Sequence, residues 1–195
     1  MKKVVILIAV VFALSACTNK GETPQTPNDT EREALEKIVS DYNDDDSDIK
    51  AEYDEKKQCI NLSWKGETLT TSYDLHFRDL LTENPTSYAD GFIISMVTFQ
   101  KGVTDITKLQ FVFEGIKFDV IPMYSNTIDD RGIAMAGFSI RDEPTKKCLE
   151  LLSHLESPIT AKIYTNKGTF RLPDEDVVSL MSMTRSYVMD GGKFE

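Results

Sequence analysis

The chain is 195 residues long and 41% hydrophobic, and it carries 32 acidic against 22 basic side chains, a formal net charge of −10 at pH 7. It contains no basic run, which excludes nucleic-acid binding, since that needs clustered positive charge to displace counterions from phosphates. The length fits one domain built around a single core, and no internal repeat is evident.

Met1-Lys2-Lys3 is followed by Val4 to Leu14 without a charged residue, and then by Ser15-Ala16-Cys17. The apolar run is about half of the roughly 20 residues that a spanning helix needs. It ends in small residues, as cleaved secretory signals do. Leu14-Ser15-Ala16-Cys17 resembles the lipobox of bacterial lipoproteins with type II signal peptides, and the resemblance covers residues 1–17 only. It implies cleavage before Cys17, acylation of the Cys17 thiol and of the new N-terminus, and a mature protein held by lipid at a membrane of the cell envelope, outside the cytoplasm. Such an anchor exceeds the single acyl chain that binds membranes only reversibly.

Removal of residues 1–16 takes Lys2 and Lys3, leaving 20 basic residues against 32 acidic, a net −12. An anionic bilayer surface repels that charge, so attachment is expected from the lipid and not from a face of the domain. Residues 17–29 are expected to form the lipidated cysteine and a flexible tether, because Thr18 to Asn28 offer nothing apolar to bury and include Pro24 and Pro27. Residues 30–195 are then the globular domain.

Thr30-Glu31-Arg32-Glu33 fits a capping box, and Leu35, Ile38, Val39 and Tyr42 recur on one face, which predicts a first helix. Alternation of Ile60, Leu62 and Trp64, and of Tyr73, Leu75 and Phe77, predicts half-buried strands over residues 58–64 and 72–77. Residues 92–99 are apolar enough for a central strand. Residues 109–113 and 116–121 flank Glu114-Gly115, a hairpin turn, and a further strand is expected over 133–140. Glu143-Pro144-Thr145 opens a second helix with Cys148, Leu151, Leu152 and Leu155 as its apolar stripe. A second hairpin joins 159–164 to 169–172 around Asn166-Lys167-Gly168, and Pro173-Asp174 opens a last helix along Val177, Leu180, Met181, Thr184 and Val188. Short links force antiparallel neighbours. The expected fold is α+β, a mainly antiparallel sheet of about seven strands with an N-terminal, an inserted and a C-terminal helix, with a β-sandwich carrying peripheral helices as the alternative.

Few residues carry chemistry in their spacing. Apart from Cys17, Cys59 and Cys148 are an even pair in an exported chain, able either to form one disulfide or to remain as buried thiols. Residues 41–52 resemble an EF-hand loop: Asp41, Asn43, Asp45 and Glu52 place oxygens at positions 1, 3, 5 and 12 of a calcium site. Asp46 stands where glycine allows the sharp turn, and Ile49, Ala51 and Tyr53 also alternate as a strand would, so an acidic linker fits as well. His76 and His154 belong to no metal-spaced pair or nucleophile motif. Trp64, Tyr73, Phe77 and Phe92 suit either a glycan or peptide groove or a core.

Three classes of function remain open. The first is a non-enzymatic, lipid-anchored envelope module that binds a protein or other envelope component through a sheet face or edge. The second is a carbohydrate or small-ligand binding lipoprotein of an uptake system. The third is an envelope hydrolase, which requires two carboxylates, or a histidine and a nucleophile, converging in a cleft.

Overall fold

The computed structural model describes residues 28–44, 49–66, 68–83, 85–98, 102–127, 134–138, 140, 142–157 and 159–194. The signal segment, Cys17 and the tether lie outside the described residues. The first helix, α1, is Asp29–Asp44. Its capping box lies two residues earlier than the sequence pattern placed it: the Glu31 amide donates to Asn28 Oδ1 at 2.9 Å, and the Asn28 amide donates back to the Glu31 carboxylate at 3.0 Å. Asparagine caps at least as well as threonine, so the helix starts at the earlier oxygen.

Ten strands follow in two antiparallel sheets, giving an α+β fold. The six-stranded sheet contains β1 (Ile49–Asp54), β2 (Cys59–Lys65), β3 (Leu69–Arg78), β4 (Thr86–Thr98), β7 (Pro122–Thr127) and β8 (Ala134–Phe138), in the order β1-β2-β3-β4-β8-β7. The four-stranded sheet is β10-β9-β5-β6, with β5 at Ile106–Phe113, β6 at Ile116–Val120, β9 at Thr160–Thr165 and β10 at Gly168–Arg171. Strands β1 and β7 are the additions to the sequence pattern. One sits in an acidic stretch with three small-to-large apolar positions. The other begins at Pro122, which is tolerated because β7 is an edge strand.

The two sheets meet where β5 lies against β7 and β8. Helix α2 (Glu143–His154) packs on β6 and on α3 (Asp174–Met189), and α3 also reaches β3, β4 and β9. One continuous cluster of buried side chains spans both sheets and all three helices, from Leu35 through Leu62, Ile94 and Phe111 to Leu152 and Tyr187. Asp142 caps α2, accepting from the Thr145 amide at 3.1 Å and its hydroxyl at 2.7 Å, with Pro144 in the first turn as expected. In the β5–β6 turn both Glu114 and Gly115 have positive φ, at 49° and 82°, the signature of a type I′ hairpin.

A bulge in β4 sets the parity of the larger sheet. Between the register pairs Ser72↔Ile93 and Asp74↔Asp90, β3 contributes Tyr73 alone while β4 contributes Gly91 and Phe92. Gly91 takes φ +64°, which marks a bulge of the glycine type. The extra residue puts Phe92, Ile94 and Met96 inside while leaving Tyr88 and Asp90 outside. Tyr73 and Phe92 then stack at 6.3 Å, and Tyr187 and Phe194 complete an aromatic cluster. Two hydroxyls anchor it: that of Tyr73 donates to Asp190 at 2.6 Å and that of Tyr187 to the Lys193 carbonyl at 3.3 Å. Burial raises the pKa of the Asp190 carboxyl above the usual carboxylate range, against the lowering effect of that hydrogen bond.

Candidate functional site

Because period-two alternation buries Ile60, Leu62, Trp64, Leu75 and Ile94 on one side, the opposite side of the six-stranded sheet is polar. At its centre is Asp74, only 8% exposed. Its carboxylate accepts from Lys57 Nζ at 2.7 Å and from Asn61 Nδ2 at 2.9 Å, and the Cys59 thiol bonds to it as well. For Lys57, burial alone would lower the pKa, but the hydrogen bond and charge of Asp74 outweigh it and the net shift is upward. The network is closed: each group holds the next in one geometry.

Next to it runs a second, more exposed array. His76 stacks on Tyr88 with ring centroids 4.8 Å apart and planes 9° from parallel. The Arg78 guanidinium carbon lies over the Tyr88 ring at 4.9 Å, and His76 Nε2 is 3.2 Å from Asp90 Oδ1. Register explains the assembly: His76 pairs with Tyr88 and Asp74 with Asp90 across β3 and β4. Four rotamer-rich side chains are thus ordered before any ligand arrives, with Tyr88 still 37% exposed. This arrangement suits recognition of a surface, since preorganised side chains lose little entropy on binding.

The sheet edges are less available than this face. At β1, Asn43 of α1 takes both outward backbone groups of Ala51, accepting from its amide and donating to its carbonyl, each at 3.0 Å. That side chain occupies the place of an added strand. At β7, Ser125 Oγ accepts from the Ile106 amide of β5 at 2.7 Å, so the smaller sheet lies against that edge.

Of the residues singled out in the sequence, Cys59 and Cys148 are both free and fully buried thiols, the first beside Asp74 and the second in α2. No bond joins them. Burial pushes each thiol up to about 12, Asp74 adding to the effect at Cys59, so neither is a nucleophile at neutral pH. Asp41 and Asn43 lie within α1, where Asp41 pairs with Lys37 at 3.3 Å and Asn43 serves Ala51. Glu52 lies in β1, and Asp45 falls outside the described residues. Among the described residues no group of three His, Cys, Asp or Glu side chains converges to hold a metal ion. Trp64, Tyr73 and Phe92 are core, and Phe77 is packed against it. His76 takes the outward position left by the inward alternation of Tyr73, Leu75 and Phe77, but nothing in the spacing points to its partners Tyr88 and Asp90. The available signal was Asp90-Gly91, a dipeptide that permits a bulge.

His154 lines an open cleft of about 280 Å³ with Glu150, Ser153, Val188, Gly192, Lys193 and Phe194. The Ser153 hydroxyl donates to the Glu150 carbonyl at 2.7 Å, not to the histidine. Arg185 donates to the carbonyls of Ser153 and Leu155, closing the end of α2. The groups in this cleft satisfy a helix terminus and do not form a nucleophile–base pair.

Compared with known protein families, curated proteins and solved structures, the chain matches none.

Proposed function

We propose that the chain is a lipid-anchored protein of the bacterial cell envelope that binds a partner protein through the outer face of its six-stranded sheet and is a non-enzymatic module. The observation that carries the reading is the ordered Arg78, Tyr88, His76 and Asp90 array on the outer sheet face, with Tyr88 exposed. Its composition supports a protein partner: tyrosine and arginine are enriched among the residues that dominate binding energy, and the surrounding Lys57, Asn61 and Asp74 form a polar rim already satisfied internally. The blocked β1 edge favours the face over strand addition. Anchoring at Cys17 rests on the lipobox. A glycan ligand is the second reading, favoured by the exposed ring of Tyr88.

Affinity capture from detergent-solubilised envelopes tests the proposal. The full-length chain is expected to retain a reproducible protein partner that is reduced at least tenfold for Arg78→Ala/Tyr88→Ala, at unchanged circular dichroism, since hot-spot truncations cost about 2 kcal/mol or more. Equal retention of the same partner by the double variant overturns the assignment of the face.

A further inference from the structure

The outer side of the four-stranded sheet has a charge opposite in sign to that of the molecule. Alternation sends Leu109, Phe111, Val120, Ala161 and Ile163 into the core. The other side then holds Lys108 of β5, Lys117 of β6, Lys162 of β9 and Arg171 of β10, against the single carboxylate of Asp119. Arg171 and Lys162 are direct register partners, and like charges placed opposite one another across a sheet are destabilising. Asp174 takes Arg171 at 2.7 Å and Asp119 takes Lys108 at 2.9 Å, while Lys117 and Lys162 have no ion pair among the described residues. Glu114 and Lys167 stand in the two hairpin turns, at opposite ends of the sheet.

We infer that this face lies against an anionic bilayer surface, where its four cations meet lipid phosphates. The inference rests on the lipid-anchor reading, which puts a bilayer within reach: the ten residues from Thr18 to Pro27 extend at most about 36 Å. Charge complementarity selects the face. The acidity of α1 does not oppose this contact. Fields in salt decay over about 10 Å, and the carboxylates of α1 sit with β1, five strand spacings or about 24 Å from β7, where the two sheets meet. A net charge of −12 describes the domain, whereas a membrane responds to the face turned toward it.

Flotation with vesicles tests the inference on the full chain carrying Cys17→Ser, so that the domain face is assayed without acyl chains. The signal segment, whose Lys2 and Lys3 themselves favour phosphatidylglycerol over neutral phosphatidylcholine, is common to every variant, so the change in anionic preference between the parent and its face variants is the readout. The chain is expected to prefer the anionic vesicles. Each neutralised cation should reduce that preference about fivefold: Lys117→Gln alone by that factor, and Lys117→Gln/Lys162→Gln about 25-fold. Lys50→Gln/Lys65→Gln, on the larger sheet, should leave it unchanged. Absence of an anionic preference in the parent overturns the inference, as does an undiminished preference in either face variant or retention on an acidic glycan in place of vesicles. Failure of the anchor reading would show separately, as an unmodified Cys17 in the mass of the wild-type chain.

Discussion

Gly91 decides where the candidate face points its side chains. Its φ of +64° costs a residue with a Cβ about 1–2 kcal/mol, and a Cβ there would also stand 3.3 Å from Asp74 Oδ2. Gly91→Ala is therefore expected to lower unfolding free energy by about 1–2 kcal/mol in urea titration and to weaken partner capture. A variant as stable as the wild type would mean that the bulge is not the source of the parity change. In the sequence, Asp90-Gly91 permits such a bulge but does not reveal it. In the stretch Tyr88-Ala89-Asp90-Gly91-Phe92 unbroken alternation puts Tyr88, Asp90 and Phe92 on one face, and only tertiary burial of Phe92 against Tyr73 reveals the extra residue. His76 was visible as an outward strand residue, yet its partners come from a different strand and their register cannot be read from spacing.

The elements divide by how strong their local signals are. The three helices are legible from period 3.6 and, for α2 and α3, from a proline at the start, because those signals act within one turn and need no partner, while α1 begins at a cap two residues before the expected one. Strands β2, β3, β9 and β10 follow their period-two patterns. Strands β1 and β7 carry weak patterns and exist because neighbours complete them, β1 through β2 and the Asn43 clamp, β7 through β8. The clamp also decides between two readings of residues 41–52. Helix α1 continues to Asp44 and β1 begins at Ile49, so Asn43 supplies its amide to a strand edge. Asn43→Ala would leave the Ala51 amide and carbonyl exposed at that edge. The expected result is a loss of about 1–3 kcal/mol with increased self-association by light scattering, since an open edge templates strand pairing. If stability and monodispersity are both unchanged, the edge is protected by something other than Asn43.

At the scale of the whole molecule, the sequence conveys an address and an average, and folding distributes that average unevenly. The resemblance to a lipobox is local and therefore legible, and the proposed anchoring rests on it. Composition gives an acidic domain, but two sheets sort the charges into a mixed, aromatic-bearing face on one and a cationic face on the other. Both faces are products of register between strands distant in sequence, such as Lys108 and Tyr164, whose ammonium and ring approach to 4.3 Å. The central claim is that the larger sheet meets a partner protein through its outer face. Its most direct test is in-cell photo-crosslinking from two positions of matched exposure, Ile93 on that face at 47% and Val178 on α3 at 48%. The expected result is a discrete protein adduct from a photoreactive residue at Ile93 and none from Val178; adducts of equal yield from both, or none from Ile93, would contradict it.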